Sequence, residues 1–156
     1  MIVFRITRAK YKDDLSGDGA AKNGARWNNK GEKMLYTASS RSLAMAEVAV
    51  HVPFGILPID YFIVSIELPK IEPIVISEEY LEGSDWKSHP PSPFTQIVGD
   101  GFLKENSSLV MAVPSVVAAG EFNYLINPNH KDFHKVKVID IQPFKFDPRL
   151  FGSDRN

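Results

Sequence analysis

Arg26 and Trp27 stand side by side in Gly17-Asp-Gly-Ala-Ala-Lys-Asn-Gly-Ala-Arg-Trp-Asn-Asn-Lys-Gly31, a stretch with four glycines in fifteen residues. Glycine takes positive φ at little cost, so such a stretch turns sharply or lies close against something. The arginine brings a fixed cation with a planar fork, the tryptophan a large flat ring. A ligand with phosphates and an aromatic ring suits both, and a nucleotide has both. Two familiar phosphate loops fail here. The spacing of Gly19 and Gly24 fits a P-loop, but Ala25 and Arg26 stand where that loop needs a lysine and a hydroxyl. A dinucleotide fingerprint needs its third glycine closer to Gly19 and a helix to follow, whereas the residues after Gly31 look like a strand. The plainer alternative is a surface loop with an exposed arginine and a half-buried tryptophan.

Two further features bear on that choice. Four of the six arginines, Arg5, Arg8, Arg26 and Arg41, lie in the first 41 residues, while 42–148 contain none and lysines are spread throughout. Arginine is selected over lysine where paired bonds to phosphate or carboxylate count, so the clustering favours a phosphate site. The second feature is Glu47. Its neighbours at three and four residues are Leu43, Ala44, Val50 and His51, which makes it the sole carboxylate on a helix apolar almost all round. An ionised carboxylate there needs a partner or a raised pKa. Either it pairs with a core arginine or caps the sheet, or it faces a cleft where a cation forms; the helix alone does not choose.

The elements that would position these groups follow from pattern. Residues 1–7 read as a strand carrying Arg5, and 9–32 as a long glycine-rich loop. Lys33–Ala38 is short and β-prone, Ser39 and Ser40 offer an N-cap, and Ser42–Val52 reads as a helix ended before Pro53. Asp60–Leu68 and Ile74–Ile76 read as strands. Residues 77–93 form a surface excursion with Trp86 as its anchor, and Thr95–Asn106 a modest helix interrupted by Gly99 and Gly101. Ser108–Ser115 is a buried strand that ends at, or runs along an edge near, Pro114. An apolar stretch framed by Asn123 and Asn127 follows. His130 and His134 have ligand-like spacing but no HExxH pattern, and read as surface histidines. Lys135–Phe146 closes the chain with a strand, and Phe146 onward reads as a tail. Strands outnumber helices without alternating with them, so the fold class is α+β: one compact domain over 1–150, with a mixed or antiparallel β core and residues 151–156 beyond it.

Composition sets the outer bounds. With 18 basic and 19 acidic residues, net charge is −1, and no overall field draws the chain to nucleic acid or a membrane. The absence of cysteine fits a reducing compartment and excludes a thiol nucleophile, disulfides and a thiolate zinc site. The N-terminal apolar run is too short for a signal peptide, and Leu109–Ala119 is cut by Pro114 and Ser115 and cannot span a bilayer. The default is a cytoplasmic protein.

Taken together, the strand with Arg5, the GxGAxxxGxRWNxxG run at 17–31, Tyr36, Ala-x-x-Glu at 44–47, Val-Pro-Ser at 113–115 and Glu-x-Asn-Tyr-Leu-x-Asn-Pro-x-His at 121–130 resemble the RES domain, over residues 2 to about 146. The resemblance implies a bacterial toxin of a type II toxin–antitoxin pair that consumes NAD as substrate. It also implies a fold similar to ADP-ribosyltransferase toxins, a helix-turn-helix Xre-like antitoxin as partner, and a homodimer. Carried over residue by residue, Arg5 and Arg26 look like pyrophosphate or ribose-phosphate ligands and Tyr36 like the ring beside the nicotinamide. Glu47 looks like the catalytic carboxylate and Ser115 like a polar residue of the active site, with Asn123 in the matching C-terminal block. Trp27 or Tyr36 can stack on nicotinamide, although core packing explains Trp27 nearly as well.

Cleaving the nicotinamide–ribose bond leaves an oxocarbenium-like sugar, and the protein must hold phosphates and place negative charge where positive charge develops. No metal is needed. Water as acceptor gives a glycohydrolase, phosphate a phosphorylase, and a protein side chain an ADP-ribosyltransferase. A small acceptor is the first expectation and a protein target the alternative.

Overall fold

The computed structural model describes residues 1–152. Seven strands form one sheet in the order β4-β5-β6-β2-β1-β3-β7. They are β1 (Ile2–Arg8), β2 (Leu35–Ala38), β3 (Tyr61–Glu67), β4 (Ile74–Val75), β5 (Val110–Pro114), β6 (Phe122–Ile126) and β7 (Lys137–Phe144). Every pairing is antiparallel except β4 with β5. Among the described residues four α-helices accompany the sheet, α1 (Asp18–Asn23), α2 (Arg41–Ala49), α3 (Glu78–Leu81) and α4 (Pro93–Glu105), besides short 3-10 turns. The expected α+β class is the one observed. Among the described residues no helix is long and apolar enough to cross a membrane.

Register assigns side chains to faces, because residues directly opposite in an antiparallel pair project the same way. Phe4, Ala38, Asn123 and Val113 are linked by direct pairing, as are Tyr36, Leu125 and Met111 two residues along. This face carries both long helices. Leu43 and Ala44 of α2 pack with Ile6, Ala38 and Ile63. Phe102 of α4 packs with Met111, Val113 and Leu125, together with Trp27 and Trp86. On the opposite face Val3, Leu35, Val64, Val110 and Ile126 are buried beneath Leu15, Phe133 and Val136 from loops. That face has no long helix.

Several elements depart from their expected form. Within the expected loop 9–32 the chain makes α1, because Ala20, Ala21 and Lys22 are good helix formers enclosed by two glycines of positive φ. Gly17 is fixed there by contact as well as by φ (+76°): a Cβ would lie 2.7 Å from the Met34 amide nitrogen. Ser40 caps α2 by accepting the Leu43 N–H at 3.1 Å. The helix stops at Ala49, and residues up to 52 continue in tighter turns, His51 and Val52 donating to Val48 and Ala49. α4 runs straight through Gly99 and Gly101. Trp86 anchors the 77–93 excursion as expected, with Leu81 buried beside it. His130, expected at the surface, is only 8 % exposed. Its Nδ1 accepts the Asp132 N–H at 3.1 Å, a local turn that removes the ring from water. Phe146 and Phe151 are buried with Ile63 and Leu43, so ordered packing continues past the expected start of the tail at 146. Of the segment 151–156, residues 153–156 lie outside the described residues.

Candidate active site

Glu47 lies one turn beyond Leu43 and Ala44, the two residues that seat α2 on the sheet. That position brings its carboxylate over the ends of β5 and β6. Its Oε1 accepts from Asn123 Nδ2 at 2.7 Å and from Ser115 Oγ at 2.8 Å. Ser115 is buried just past β5, and its hydroxyl oxygen accepts the N–H groups of Val117 and Ala118 at 3.0 and 3.1 Å. Those two bonds fix the hydroxyl, leaving its single proton for Glu47. Both donors land on one oxygen. Among the described residues Oε2 accepts no hydrogen bond, so the carboxylate is held by one atom and presents the other. The partner Glu47 needed on its apolar helix is thus a neutral pair of donors and not a core arginine.

Arg26 to Asn29 form a tight turn, closed by the Ala25–Asn28 bridge, in which each residue has one task. Trp27 is 3 % exposed and packs with Met34, Trp86 and Phe102. Asn28 is fully buried, donating through Nδ2 to the carbonyls of Ala20, Asn29 and Glu32. Asn29 donates to Asp100 through its backbone N–H at 3.0 Å and its side chain at 2.7 Å. Tyr36 OH accepts the Trp27 N–H at 3.1 Å and donates to Asn28 Oδ1 at 2.7 Å. Burial pushes the Tyr36 phenol above its ordinary pKa, and the Trp27 N–H opposes this more weakly.

The fourth task falls to Arg26. α4 grips its backbone: Thr95 Oγ1 donates to the Arg26 carbonyl at 2.6 Å, and Gln96 Nε2 to that of Ala25 at 3.1 Å. At Gly99 a Cβ would sit 1.5 Å from the Trp27 carbonyl oxygen, so only glycine admits the turn this close. The guanidinium then extends to the 77–93 excursion, where Nη1 donates to the carbonyls of Trp86 and Ser88, both at 2.8 Å. Burial lowers its pKa, and the Glu47 charge acts in the opposite direction. An arginine remains protonated under such a shift.

Arg5 does not join this group. Strand alternation sends it to the face opposite Phe4. There Nη1 donates to the carbonyls of Asp14 and Tyr11, tying down the loop that covers that side. Burial lowers its pKa and Asp14 acts to raise it. The buried Trp27 likewise presents no free ring face. The structure therefore joins Glu47, Ser115 and Asn123 by hydrogen bonds and leaves the Arg26 guanidinium on the Trp86 and Ser88 carbonyls, where the Glu47 charge still acts on it, with Tyr36 supporting the Arg26 turn from within.

The RES domain family model matches residues 2–147. The chain belongs to the RES domain family. It is 38 % identical over 157 residues to "Toxin Res" of Photorhabdus laumondii, covering 99 % of this chain and all of that protein. It is 36 % identical to the "Prs ADP-ribosylating toxin" of a Sphingobium species, covering 92 % of this chain and 90 % of that one. Among solved structures, the M. tuberculosis MbcT–MbcA toxin–antitoxin complex contains a chain similar in fold. The TM-score is 0.65 at 19 % identity, over 99 % of this chain and 88 % of that one.

In this RES domain, sequence reading missed the residues that act through others. Asn28 was visible beside Trp27, and its four hydrogen bonds explain why an amide follows the tryptophan. Gly99 looked like a weakness in a helix and is instead its contact point. The carbonyls of Trp86 and Ser88 left no signal, because a backbone acceptor is the same for every residue type.

Proposed function

We propose that this chain is the toxin of a toxin–antitoxin pair and that it breaks the nicotinamide–ribose bond of NAD. The observation that carries the reading is the Glu47 carboxylate, pinned at Oε1 and open at Oε2, within the field of an Arg26 guanidinium that neutral carbonyls hold in place. The names of the full-length relatives support it. Arg26 holds the diphosphate through charge-assisted bonds. Oε2 accepts a ribose hydroxyl, and its charge opposes the positive charge growing at the sugar carbon. The bonding pair of the glycosidic C–N bond passes to the ring nitrogen, so nicotinamide leaves neutral. The acceptor then adds a lone pair to the sugar carbon and releases its proton. Ser115 and Asn123 keep Oε1 occupied, so the reacting oxygen stays in place through this charge change. Tyr36 and Asn28 keep Arg26 presented, and Arg5 belongs to loop architecture on the other face.

Release of nicotinamide from NAD by the purified chain tests this. Glu47→Gln keeps the shape and removes the charge; the expected loss is about 10²- to 10³-fold in kcat, the scale of losing one preorganised electrostatic group. Turnover at the parental rate in a folded Glu47→Gln variant would refute the proposal. Water or phosphate as acceptor is the first reading, and a phosphorylated ADP-ribose product separates those two. The Sphingobium relative's name favours a second, transfer to a protein side chain, which labelled NAD appearing on a protein band would establish. An Xre-like helix-turn-helix antitoxin, a homodimer and a cytoplasmic site of action complete the proposal; co-purification with the neighbouring reading frame's product and sedimentation test the first two.

A further inference from the structure

We infer that residues 85–92 are a positioning loop for the Arg26 guanidinium, closed by Asp85, and that this closure sets the affinity for a ligand's diphosphate; the inference rests on Arg26 being the diphosphate ligand. Within eight residues the loop makes three bonds to itself. Ser88 donates its N–H to the Asp85 carbonyl at 2.9 Å and its hydroxyl to the Pro90 carbonyl at 2.9 Å. Ser92, buried at the head of α4, donates its hydroxyl to Asp85 Oδ1 while accepting the Phe94 N–H. The Trp86 side chain, 7 % exposed, anchors the loop in the same apolar cluster as Trp27.

The consequence lies in which hydrogens are spent. Nη1 of an arginine carries two, and the carbonyls of Trp86 and Ser88 take one bond each. That orients the planar group and leaves the Nε–Nη2 edge, the edge suited to a paired grip on phosphate oxygens. Both acceptors are neutral. Among the described residues no carboxylate forms an ion pair with Arg26, so its full charge is kept for an external anion. Asp85 is exposed, and among the described residues its side chain accepts a hydrogen bond only from Ser92. Its carboxylate contributes little to the core and closes the loop that aims the fork. Because the diphosphate is remote from the breaking bond, loosening its grip affects ground state and transition state alike and appears in KM, not kcat.

The test uses the purified full chain with two ligands: ADP-ribose, which carries the diphosphate, and nicotinamide riboside, which lacks phosphate. For Asp85→Ala we expect ADP-ribose affinity by calorimetry to fall about ten-fold, the equivalent of one well-placed charge-assisted bond. The KM for NAD rises in parallel, kcat stays within about two-fold on the same argument, and nicotinamide riboside binding is unchanged. Asp85→Asn keeps an acceptor for Ser92 and restores the parental values. The inference is overturned if Asp85→Ala binds ADP-ribose like the parent while Arg26→Ala does not, or if it weakens both ligands equally, as general loosening would. Parental ADP-ribose binding by Arg26→Ala is a different result: it removes the functional reading, and the inference with it.

Discussion

At the scale of single residues, the Glu47 carboxylate is tied through one oxygen, and among the described residues the other accepts no hydrogen bond. Ser115 touches one oxygen of the carboxylate and is too buried to touch a ligand, so its removal should act through Glu47. Ser115→Ala is expected to lower kcat about ten-fold, the worth of one hydrogen bond to a charged group, with the KM for NAD little changed. Equal loss in both parameters would mean that the hydroxyl meets the substrate. Tyr36 gives a prediction in pH. Its folded-state pKa is raised above the ordinary value of 10.0 by burial. Below that pH the phenol is protonated in both states and its contribution is complete. As pH climbs past 10, the unfolded chain releases its proton first, and stability falls by up to about 1.4 kcal/mol per pH unit. Urea unfolding between pH 9 and 11 should therefore show a steeper decline in the parent than in Tyr36→Phe. Parallel slopes would show that the phenol is not buried as described. The carboxylate, its helix and the arginine were legible in sequence because charge on an apolar helix and arginine in a glycine loop are anomalies of residue type. Which hydroxyl or amide met the carboxylate was not, because that depends on pairing between strands far apart in the chain.

At the scale of elements, α4 is the splint on which the Arg26 turn is set. Thr95, Gln96, Gly99 and Asp100 lie on one side of it, and each meets a residue between Ala25 and Asn29. Two glycines two residues apart make a controlled comparison. Gly99→Ala drives a Cβ into the backbone of Trp27 and should destabilise by about 3 kcal/mol or more, the upper range for overpacking. Gly101→Ala meets nothing within 4 Å and should stabilise by about 0.5–1 kcal/mol through helix propensity. Urea midpoints of the two variants check this, and equal effects would contradict the docking of α4 on the turn. Sequence reading saw both glycines only as helix interruptions, since propensity carries no knowledge of what a helix face abuts. The helix cap at Ser40 and the strands β1, β3 and β5 were legible because alternation, apolar runs and capping are local. α1 was not, being six residues inside a stretch whose glycines suggest a loop.

At the scale of the whole molecule, the sheet divides labour between its faces. One supports the helices and the Glu47–Arg26 group; the other is closed by loops, with Arg5 as a fastener. Arg5→Met should therefore lower the melting temperature by several degrees, about 1–2 kcal/mol for two lost carbonyl bonds. The KM for NAD of the folded variant should stay within about two-fold, whereas Arg26→Lys, which loses the planar fork, should raise it about ten-fold or more. A raised KM in Arg5→Met with Arg26→Lys unaffected would reverse the roles. From sequence both arginines stood as phosphate ligands, because alternation tells that neighbours on a strand part company but not which side the ligand takes. The strand order also has a consequence for synthesis on the ribosome. Asn123 follows Glu47 by 76 residues, and β6 inserts between β2 and β5, both made before it. At about 5–20 residues per second the two halves of the site emerge some 4–15 s apart. On the proposed reading, a growing chain therefore carries Glu47 without its Asn123 partner until β6 has been made.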